Sequence, residues 1–430
     1  LVMIPSGYKD QKVYSVKPID GTGDLTFTRS NDTASRVASD GLIQKVRTNV
    51  FSFSEDFSTS SGFFAGVTGA STATFTANYG TAPDGTATAD RIQLELNGEP
   101  YADWLRPFAV TTGVGYTYSI YLKSLSGTPT IEFLNDGSVG IQKTLTTDWV
   151  RYDYTWTSAG ATIYPRFLLG AATSSSADIL AWGAMVEVSD FGPTDYIATT
   201  SAAVSVGPVA NLPRLDYSGG ATCPKLLLEG QRTNAITFSE SFDNAAWTKG
   251  GDVILTANYA TSPDGYQNAD RVVADTSSSG HIVYRSITTT GTHTISIFAK
   301  ASGYNYTFFG YDGGNLTFGI VFNLSNGTIS QNPSGLTGTI EAVGSDGWYR
   351  CTLTFNAPAS RYFVVSPHDN SGSYNWTGNG TDGILIYGAQ AELLSSYATS
   401  YIPTLSAAVT RGADDVSDST FTALPNANFT

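Results

Sequence analysis

Ser119-Ile120-Tyr121-Leu122-Lys123 and Ser296-Ile297-Phe298-Ala299-Lys300 are two versions of one segment, and they decide the fold. In the first version Tyr118, Ile120 and Leu122 alternate with more polar residues. This period of two is typical of a strand that has one face in a core and the other towards solvent. Because a sheet with one apolar face must cover it with another layer, two packed sheets are expected around each version.

Four further blocks recur in the same order around these two segments. The drifting distance between matching blocks indicates that loops changed length while strands did not. No segment has a convincing helical period, and Pro-Asp-Gly and Asn-Gly supply turns. The sequence therefore predicts an all-β fold of two tandem antiparallel β-sandwiches. The matching blocks are Arg47–Phe57 with Arg232–Phe242, Thr76–Arg91 with Thr256–Arg271, Trp149–Arg151 with Trp348–Arg350, and Ile179–Ala184 with Ile384–Ala389.

The repeat also predicts the domain organisation. Residues 1–46 form an N-terminal arm, and residues 47–206 form the first sandwich, module one. Residues 207–231 are a connector, and residues 232–411 form the second sandwich, module two. Residues 412–430 are expected to lead into further chain.

Composition and charge exclude several classes of partner. The 430 residues include 41% hydrophobic but only 14% charged residues, and the net charge is −14. Since no Lys/Arg cluster is present, we expect no nucleic-acid binding and no attraction to anionic membranes. No apolar run is long enough to span a bilayer. The two cysteines, Cys223 and Cys351, are too few for a disulfide scaffold and fit assembly in a reducing cytoplasm.

The sequence predicts no catalytic residues and no metal site. None of the three histidines has metal-ligand spacing, and His293 is expected at the surface or at a strand edge. Glu240 and Asp243 are a weak candidate for a glycosidase pair, which needs two facing carboxylates. We predict a non-enzymatic protein without a cofactor. A structural calcium ion near Glu240 and Asp243 stays an alternative, because Ca²⁺ prefers oxygen ligands.

Module two carries the more suggestive loop. Ser371–Gly380 places Tyr374 and Trp376 among glycine and asparagine, whereas the matching Gly170–Ser176 of module one has no aromatic residue. An aromatic face beside amides and hydroxyls suits a sugar ring, so Tyr374 and Trp376 are the predicted carbohydrate-binding residues. The alternative is that both rings fold back onto the sheet or into a subunit contact. Residues 318–329 of module two further predict an added hairpin, either on a binding face or over a sheet edge.

Several stretches together resemble virion proteins of tailed phages, especially the fibre-like and spike-like proteins of phages that infect Bacteroidetes. The resemblance covers most of the chain. It departs in one respect, since Asp40–Ile43 of the arm is expected to continue directly into Pro213–Tyr217 of the connector. Module one lies between them, as though it had been duplicated or inserted. The stretches are Met3–Ser15, Gly23–Ile43, Leu212–Phe242 and Tyr387–Thr404.

The resemblance implies that each sandwich is a jelly roll similar to carbohydrate-binding modules. It also implies a structural subunit of a head or tail fibre or spike, commonly a homotrimer, in a virion assembled in the host cytoplasm. The arm would then contact other virion proteins, and the sandwiches would bind host-surface glycans. Two alternatives stay open: a cell-surface or secreted bacterial glycan-binding protein, and a polysaccharide-degrading tail spike. A tail spike of that kind usually has a long β-helix repeat, which is not visible here.

Overall fold

The computed structural model describes residues 5–9, 11–15, 25–135, 140–170, 172–287, 290–312, 314–357 and 360–417. The chain separates into two compact units. One is Arg47–Val206, and the other combines Leu1–Val46 with Gly207–Thr430. In the described ranges, no helix has the length and apolar character needed to cross a membrane.

Module one consists of two antiparallel sheets, with strand orders β14-β13-β16-β10-β7 and β15-β12-β17-β9-β8. Strand β11 pairs with β16, and β6 pairs with β18. A short 3-10 helix covers Thr59–Ser61. The strands are β6 (Arg47–Asn49), β7 (Phe64–Val67), β8 (Thr72–Gly80), β9 (Ala89–Glu95), β10 (Ala102–Leu105), β11 (Phe108–Ala109), β12 (Gly115–Ser124), β13 (Thr130–Asn135), β14 (Gly140–Thr144), β15 (Val150–Thr157), β16 (Thr162–Leu169), β17 (Ser176–Val188) and β18 (Val204–Val206).

Module two repeats this plan, with strand orders β22-β26-β33-β28-β29-β30 and β23-β24-β35-β27-β32-β31. The predicted hairpin is present, since β29 pairs with β30, but β29 holds the place that β14 has in module one, so the strands that module two adds are β30 and β31. A 3-10 helix at Leu316–Phe318 precedes that hairpin. The strands are β21 (Arg232–Asn234), β22 (Thr248–Gly250), β23 (Val253–Ala260), β24 (Ala269–Ala274), β25 (Ser278–Ser279), β26 (Ile282–Ile287), β27 (Gly291–Ser302), β28 (Tyr306–Gly310), β29 (Gly319–Asn323), β30 (Thr328–Gln331), β31 (Thr337–Val343), β32 (Trp348–Ala357), β33 (Arg361–His368), β34 (Trp376–Thr377), β35 (Gly383–Leu393) and β36 (Val409–Arg411).

Each module encloses its own core between its two sheets. In module one, Ile120 of β12 lies in the same buried cluster as Phe133 of β13. In module two, Ile297 of β27 shares a buried cluster with Phe309 of β28. The alternation seen in the sequence therefore faces an inter-sheet core, and the predicted all-β fold of two sandwiches is confirmed.

Identical buried polar residues anchor the backbone in both modules. The side chain of Asn49 donates to the carbonyls of Ala184 and Ile197, at 3.1 and 2.8 Å. Asn234 makes the same two bonds in module two, to Ala389 and Ile402. Because an unpaired buried amide would cost about 1–3 kcal/mol, these bonds explain why the repeated blocks keep their polar residues.

The arm and the connector belong to the unit of module two. Strand β3 (Leu25–Thr28) pairs with β37 (Asp415–Ser417). The other strands of these segments are β1 (Pro5–Lys9), β2 (Lys12–Ser15), β4 (Ser35–Val37), β5 (Ile43–Lys45), β19 (Arg214–Asp216) and β20 (Lys225–Leu227), and Ser218–Gly220 is a 3-10 helix.

A buried ionic network joins the arm and the connector to the segment after module two. The carboxylate of Asp414 pairs with Arg29 at 3.0 Å and also with Arg214. Glu229 pairs with Arg214 at 2.9 Å and with Arg411 at 2.8 Å. Burial alone would raise the pKa of Glu229, but Arg411 and Arg214 bring it below its ordinary value. Removing one member would leave a buried charge without its partner, at a cost of about 3–5 kcal/mol.

The chain leaves this unit and returns to it at nearly one point. Val206 of β18 pairs with Arg47 of β6, so the two ends of module one are adjacent. Gly207 has a φ of 96°, and a Cβ atom there would lie 2.5 Å from the carbonyl oxygen of Lys45. Arm and connector also meet directly, since Val37 N–H donates to the Asp216 carboxylate at 2.8 Å. This arrangement is that of a module inserted into a unit that closes without it.

Candidate functional site

The outer face of the six-stranded sheet of module two carries a group of tyrosines. Along β33, Phe363 and Val365 face the core, so Tyr362 and Val364 face outward. Val364 lies opposite Tyr284 of β26 and Gly310 of β28. Tyr306 and Tyr374 complete the group, which we call the tyrosine face: Tyr284, Tyr306, Tyr362 and Tyr374.

The tyrosines surround an apolar floor. Phe308, Leu316, Val321 and Val364 form a buried cluster separate from the main core, with Ile282 and three of the tyrosines half-buried around it. The outer face of this sheet therefore has an apolar cluster of its own, separate from the core between the sheets. An apolar patch on an outer face is typical of a binding surface.

Two glycines let the Phe308 ring lie flat on the sheet. A Cβ atom at Gly310 or at Gly319 would come within 2.7 Å of that ring. Gly310 and Gly319 are direct partners in neighbouring strands, so together they open a shallow depression for the ring.

Tyr374, one of the two predicted carbohydrate-binding residues, lies on this face. Its ring meets Phe308 edge to face, with centroids 5.6 Å apart. The ring also lies over Gly280, where a Cβ atom would be 2.5 Å from Cε1 of Tyr374. The side chain is half-buried, and burial raises the pKa of its hydroxyl. Its remaining exposed part is available to a ligand.

Trp376 does not have the exposure that the sequence analysis expected. It is only 5% exposed, and its indole packs against Tyr304 and His281 with ring centroids 4.9 Å away in both cases. Strand β34 pairs with β25, which pulls the indole inward from the loop. The expectation of two exposed rings was therefore wrong for Trp376, because residues distant in sequence cover it. Its predicted sugar contact is not tested by this placement.

Three residues of this face were not predicted from the sequence, Tyr284, Tyr306 and Tyr362, and Tyr362 is the most exposed of them. It is 40% exposed and meets Tyr284 edge to face at 5.4 Å. Hydrogen-bonding groups lie along the neighbouring elements: Gln331 of β30 donates to Asn370, and Arg361 lies 4.0 Å from Asp312. The alternation of β33 was the signal that could have identified Tyr362, since it predicts an aromatic ring on the solvent face.

The corresponding face of module one carries charged side chains beside its exposed Phe64 and half-buried Tyr164. Arg166 of β16 pairs with Glu132 of β13, and Asp103 of β10 lies one strand away. Burial raises the pKa of Asp103 to about 6, although Arg166 opposes this. The two modules therefore have similar cores, but the outer faces of this sheet carry different side chains.

Glu240 is already bound to a cation supplied by the protein. The ammonium of Lys45 lies 2.7 Å from Glu240 and 2.8 Å from Asp264, and it also donates to the Tyr387 hydroxyl at 2.8 Å. The lysine occupies the place that a calcium ion would take at Glu240. In the described ranges, no group of three or more His, Cys, Asp or Glu side chains could hold a metal ion.

All three histidines are buried, so the expectation for His293 was wrong. His293 lies on β27, an interior strand of its sheet, and its Nδ1 accepts the N–H of Leu394 at 3.1 Å. His368 holds the loop before Trp376: its Nδ1 accepts from Asn370 N–H at 2.8 Å, and Nε2 lies 3.0 Å from the Ser373 carbonyl. Burial lowers the pKa of His368. These contacts give the histidines structural roles.

No family model matches the chain, and no curated protein matches it. Among solved structures, it is similar to the N-terminal tandem of two CBM22 domains of Xyn10C from Paenibacillus barcinonensis, with 12% identity and a TM-score of 0.26. That match covers 82% of this chain and 97% of the other.

Two further likenesses cover about a third of the chain. The xylan-binding CBM22-1 domain of the same Paenibacillus protein is 16% identical with a TM-score of 0.22, covering 33% of this chain and 92% of that one. The enzymatically active domain of tailspike protein 4 of bacteriophage CBA120 is 15% identical with a TM-score of 0.24, covering 32% of this chain and 20% of that one. Function has to be inferred from the chain's own residues.

Proposed function

We propose that the chain is a non-enzymatic structural subunit of a phage virion appendage, and that module two binds host-surface glycans on the tyrosine face. The observation that supports glycan binding most is the arrangement of four tyrosines around the apolar floor. Aromatic rings cover the C–H faces of a sugar, and nearby amides bond its hydroxyls. The virion role is supported by the sequence resemblance described above, as are a homotrimer, an arm that contacts other virion proteins and a location in the virion.

Module two is the better candidate for binding for a physical reason. A sugar ring that lies on Tyr362 and the neighbouring Tyr284 removes apolar surface from water and leaves no charge unpaired. On the module one face, the same ring would cover Glu132, Arg166 and Asp103, whose desolvation is costly.

The experiment is a glycan array with the full chain, followed by calorimetry on the best ligand. Tyr362→Ala and Tyr306→Ala should each weaken binding by about two- to tenfold, since one aromatic contact contributes about 0.5–1.5 kcal/mol. Tyr259→Ala is the matched control, because Tyr259 is 49% exposed on β23, in the other sheet of module two. Absence of binding to host polysaccharides at millimolar ligand would reject glycan binding, and equal losses in all three variants would reject this face.

Two further measurements test the rest of the proposal. The chain should leave bound polysaccharides intact, so release of reducing ends during incubation would overturn the non-enzymatic role. Sedimentation of the purified chain should give the mass of a trimer. A monomer at all concentrations would reject self-assembly of these 430 residues.

A further inference from the structure

The arm covers a defined surface of module two. Ile43 of β5 belongs to a buried cluster with Phe298, Trp348, Leu385, Tyr387 and Tyr401. Its N–H donates to the carbonyl of Pro263 at 2.8 Å. Two residues later, Lys45 reaches the carboxylates of Glu240 and Asp264. An aliphatic residue and a lysine in one extended strand thus fill an aromatic and acidic surface.

Module one contains the same surface at the equivalent positions of its repeat. The aromatic and aliphatic members correspond one to one, and so do the two carboxylates. We call this set the module-one patch: Tyr121, Trp149, Leu180, Trp182 and Tyr196, with Glu55 and Asp84.

Glu55, one of the two carboxylates of this patch, is held by the same hydrogen bond as Glu240 in module two. Glu55 accepts the Tyr196 hydroxyl at 3.0 Å, as Glu240 accepts that of Tyr401 at 3.0 Å. The same tyrosine hydroxyl also bonds Ser54 at 2.7 Å. The Glu55 side of the geometry that receives Lys45 in module two is therefore built in module one as well.

The module-one patch lacks the cover. Asp264 is 4% exposed and Trp348 2% exposed under the arm, whereas Asp84 is exposed and Trp149 half-buried. The cluster around Trp182 contains only module one residues. In the described part of the chain, neither Glu55 nor Asp84 has a salt-bridge partner, and a cation would complement both.

The chain's own arm is engaged elsewhere. Ile43 and Lys45 fill the surface of module two, and the described residues contain one such arm for two such surfaces. A second copy that donated its arm would uncover its own module two. The occupant is therefore best supplied by a different polypeptide.

We propose that the module-one patch is a docking surface for an extended segment of another protein that carries an aliphatic residue and, two positions later, a lysine. The segment would place its ammonium between Glu55 and Asp84 and its aliphatic side chain on Trp149 and Leu180. Trp182 replaces Tyr387, so one hydroxyl ligand of the ammonium is absent, which makes the contact weaker than that of the arm and suited to a separate chain.

The test is titration of the full chain with a synthetic peptide of residues 35–46, followed by calorimetry. We expect one peptide per chain. A peptide with Lys45→Met should bind at least tenfold more weakly, and so should the chain carrying Glu55→Gln and Asp84→Asn. The matched control is Glu95→Gln with Asp195→Asn, which changes net charge equally through two exposed residues outside the patch.

Each outcome decides the proposal. The proposal is supported if the Glu55/Asp84 variant loses peptide binding and the Glu95/Asp195 control does not. No binding at millimolar peptide, or equal loss in the control variant, overturns it. Binding that is unchanged in the Glu55/Asp84 variant but altered in Glu240→Gln would show displacement of the arm from module two, which also overturns it. A dimer of the chain that Glu55→Gln dissociates would assign the patch to a second copy instead.

Discussion

Lys45→Met is the substitution that most directly tests how the arm is held. Lys45 is 7% exposed, and its ammonium bonds two carboxylates and one hydroxyl. Methionine keeps the packing of the chain but leaves Glu240 and the fully buried Asp264 without a counter-charge. Breaking a buried pair in this way costs about 3–5 kcal/mol, so the arm should detach about 10²- to 4 × 10³-fold more often.

Hydrogen exchange resolved by peptide is the suitable assay, because the chain has two units and a single unfolding transition is not defined. The Ile43 amide, bonded to Pro263, should exchange faster by the factor above, while β12 and β17 of module one stay unchanged. Lys300→Met is the matched control, since its partner Asp346 is 77% exposed and such a pair contributes about 0–1 kcal/mol.

A second substitution separates charge from packing. Adding Glu240→Gln and Asp264→Asn to Lys45→Met removes the two carboxylates that lose the Lys45 ammonium. Much of the protection of the arm against hydrogen exchange should therefore return. The reasoning would be refuted if Lys45→Met accelerated exchange of the arm no more than Lys300→Met does.

Three other perturbations test the two sheet faces. Asp103→Asn should stabilise module one at pH 7 by up to about 3 kcal/mol, because burial raises the pKa of Asp103 from 3.8 to about 6 and the native state loses stability as pH rises through that window; a less stable Asn variant would contradict this. Burial lowers the pKa of His368 below its ordinary 6.5, so the stability that it contributes is complete above that pH and lost as pH falls through it. The protection factors of the amides of residues 369–376, which correct for slower intrinsic exchange in acid, should fall on acidification, and a flat profile would argue against this. Gly310→Ala should lower the free energy of unfolding of module two by about 1–3 kcal/mol and with it the midpoint, since the Cβ would lie 2.7 Å from Phe308. Gly230→Ala, which meets no atom within 4 Å, is its control, and equal midpoints would disprove the packing argument.

The repeated strand blocks were sufficient to predict the fold because their information is local. Alternation in β12 and β27 depends on neighbours two residues apart, and the two copies confirm each other. Trp376 shows where local information ends: its burial depends on Tyr304 and His281, which lie far away in sequence. Tyr374 is a second case, since its ring packs on Phe308 and over Gly280, which the local sequence of its loop does not specify.

The contact between the arm and module two could not be predicted for a related reason. Lys45 and Glu240 are separated by 195 residues, and nothing in either local sequence specifies the other. The sequence did indicate an inserted module one through its interrupted resemblance. That indication agrees with the adjacent ends at Arg47 and Val206 and with the arm and connector forming one unit with module two.

Duplication of a module that already binds an arm has a physical consequence. The copy inherits the receiving surface with its fold, because Tyr196 and Tyr401 also contribute a hydroxyl to Ser54 and Ser239 of their own modules. No second arm is found among residues 47–135, 140–170 and 172–206, and the inherited aromatic and acidic surface is partly in water. Keeping Trp149 half-buried costs solvation free energy that a polar replacement would avoid. Module one nevertheless keeps all five apolar and aromatic residues of the patch and both carboxylates, as expected of a surface that binds a partner of its own.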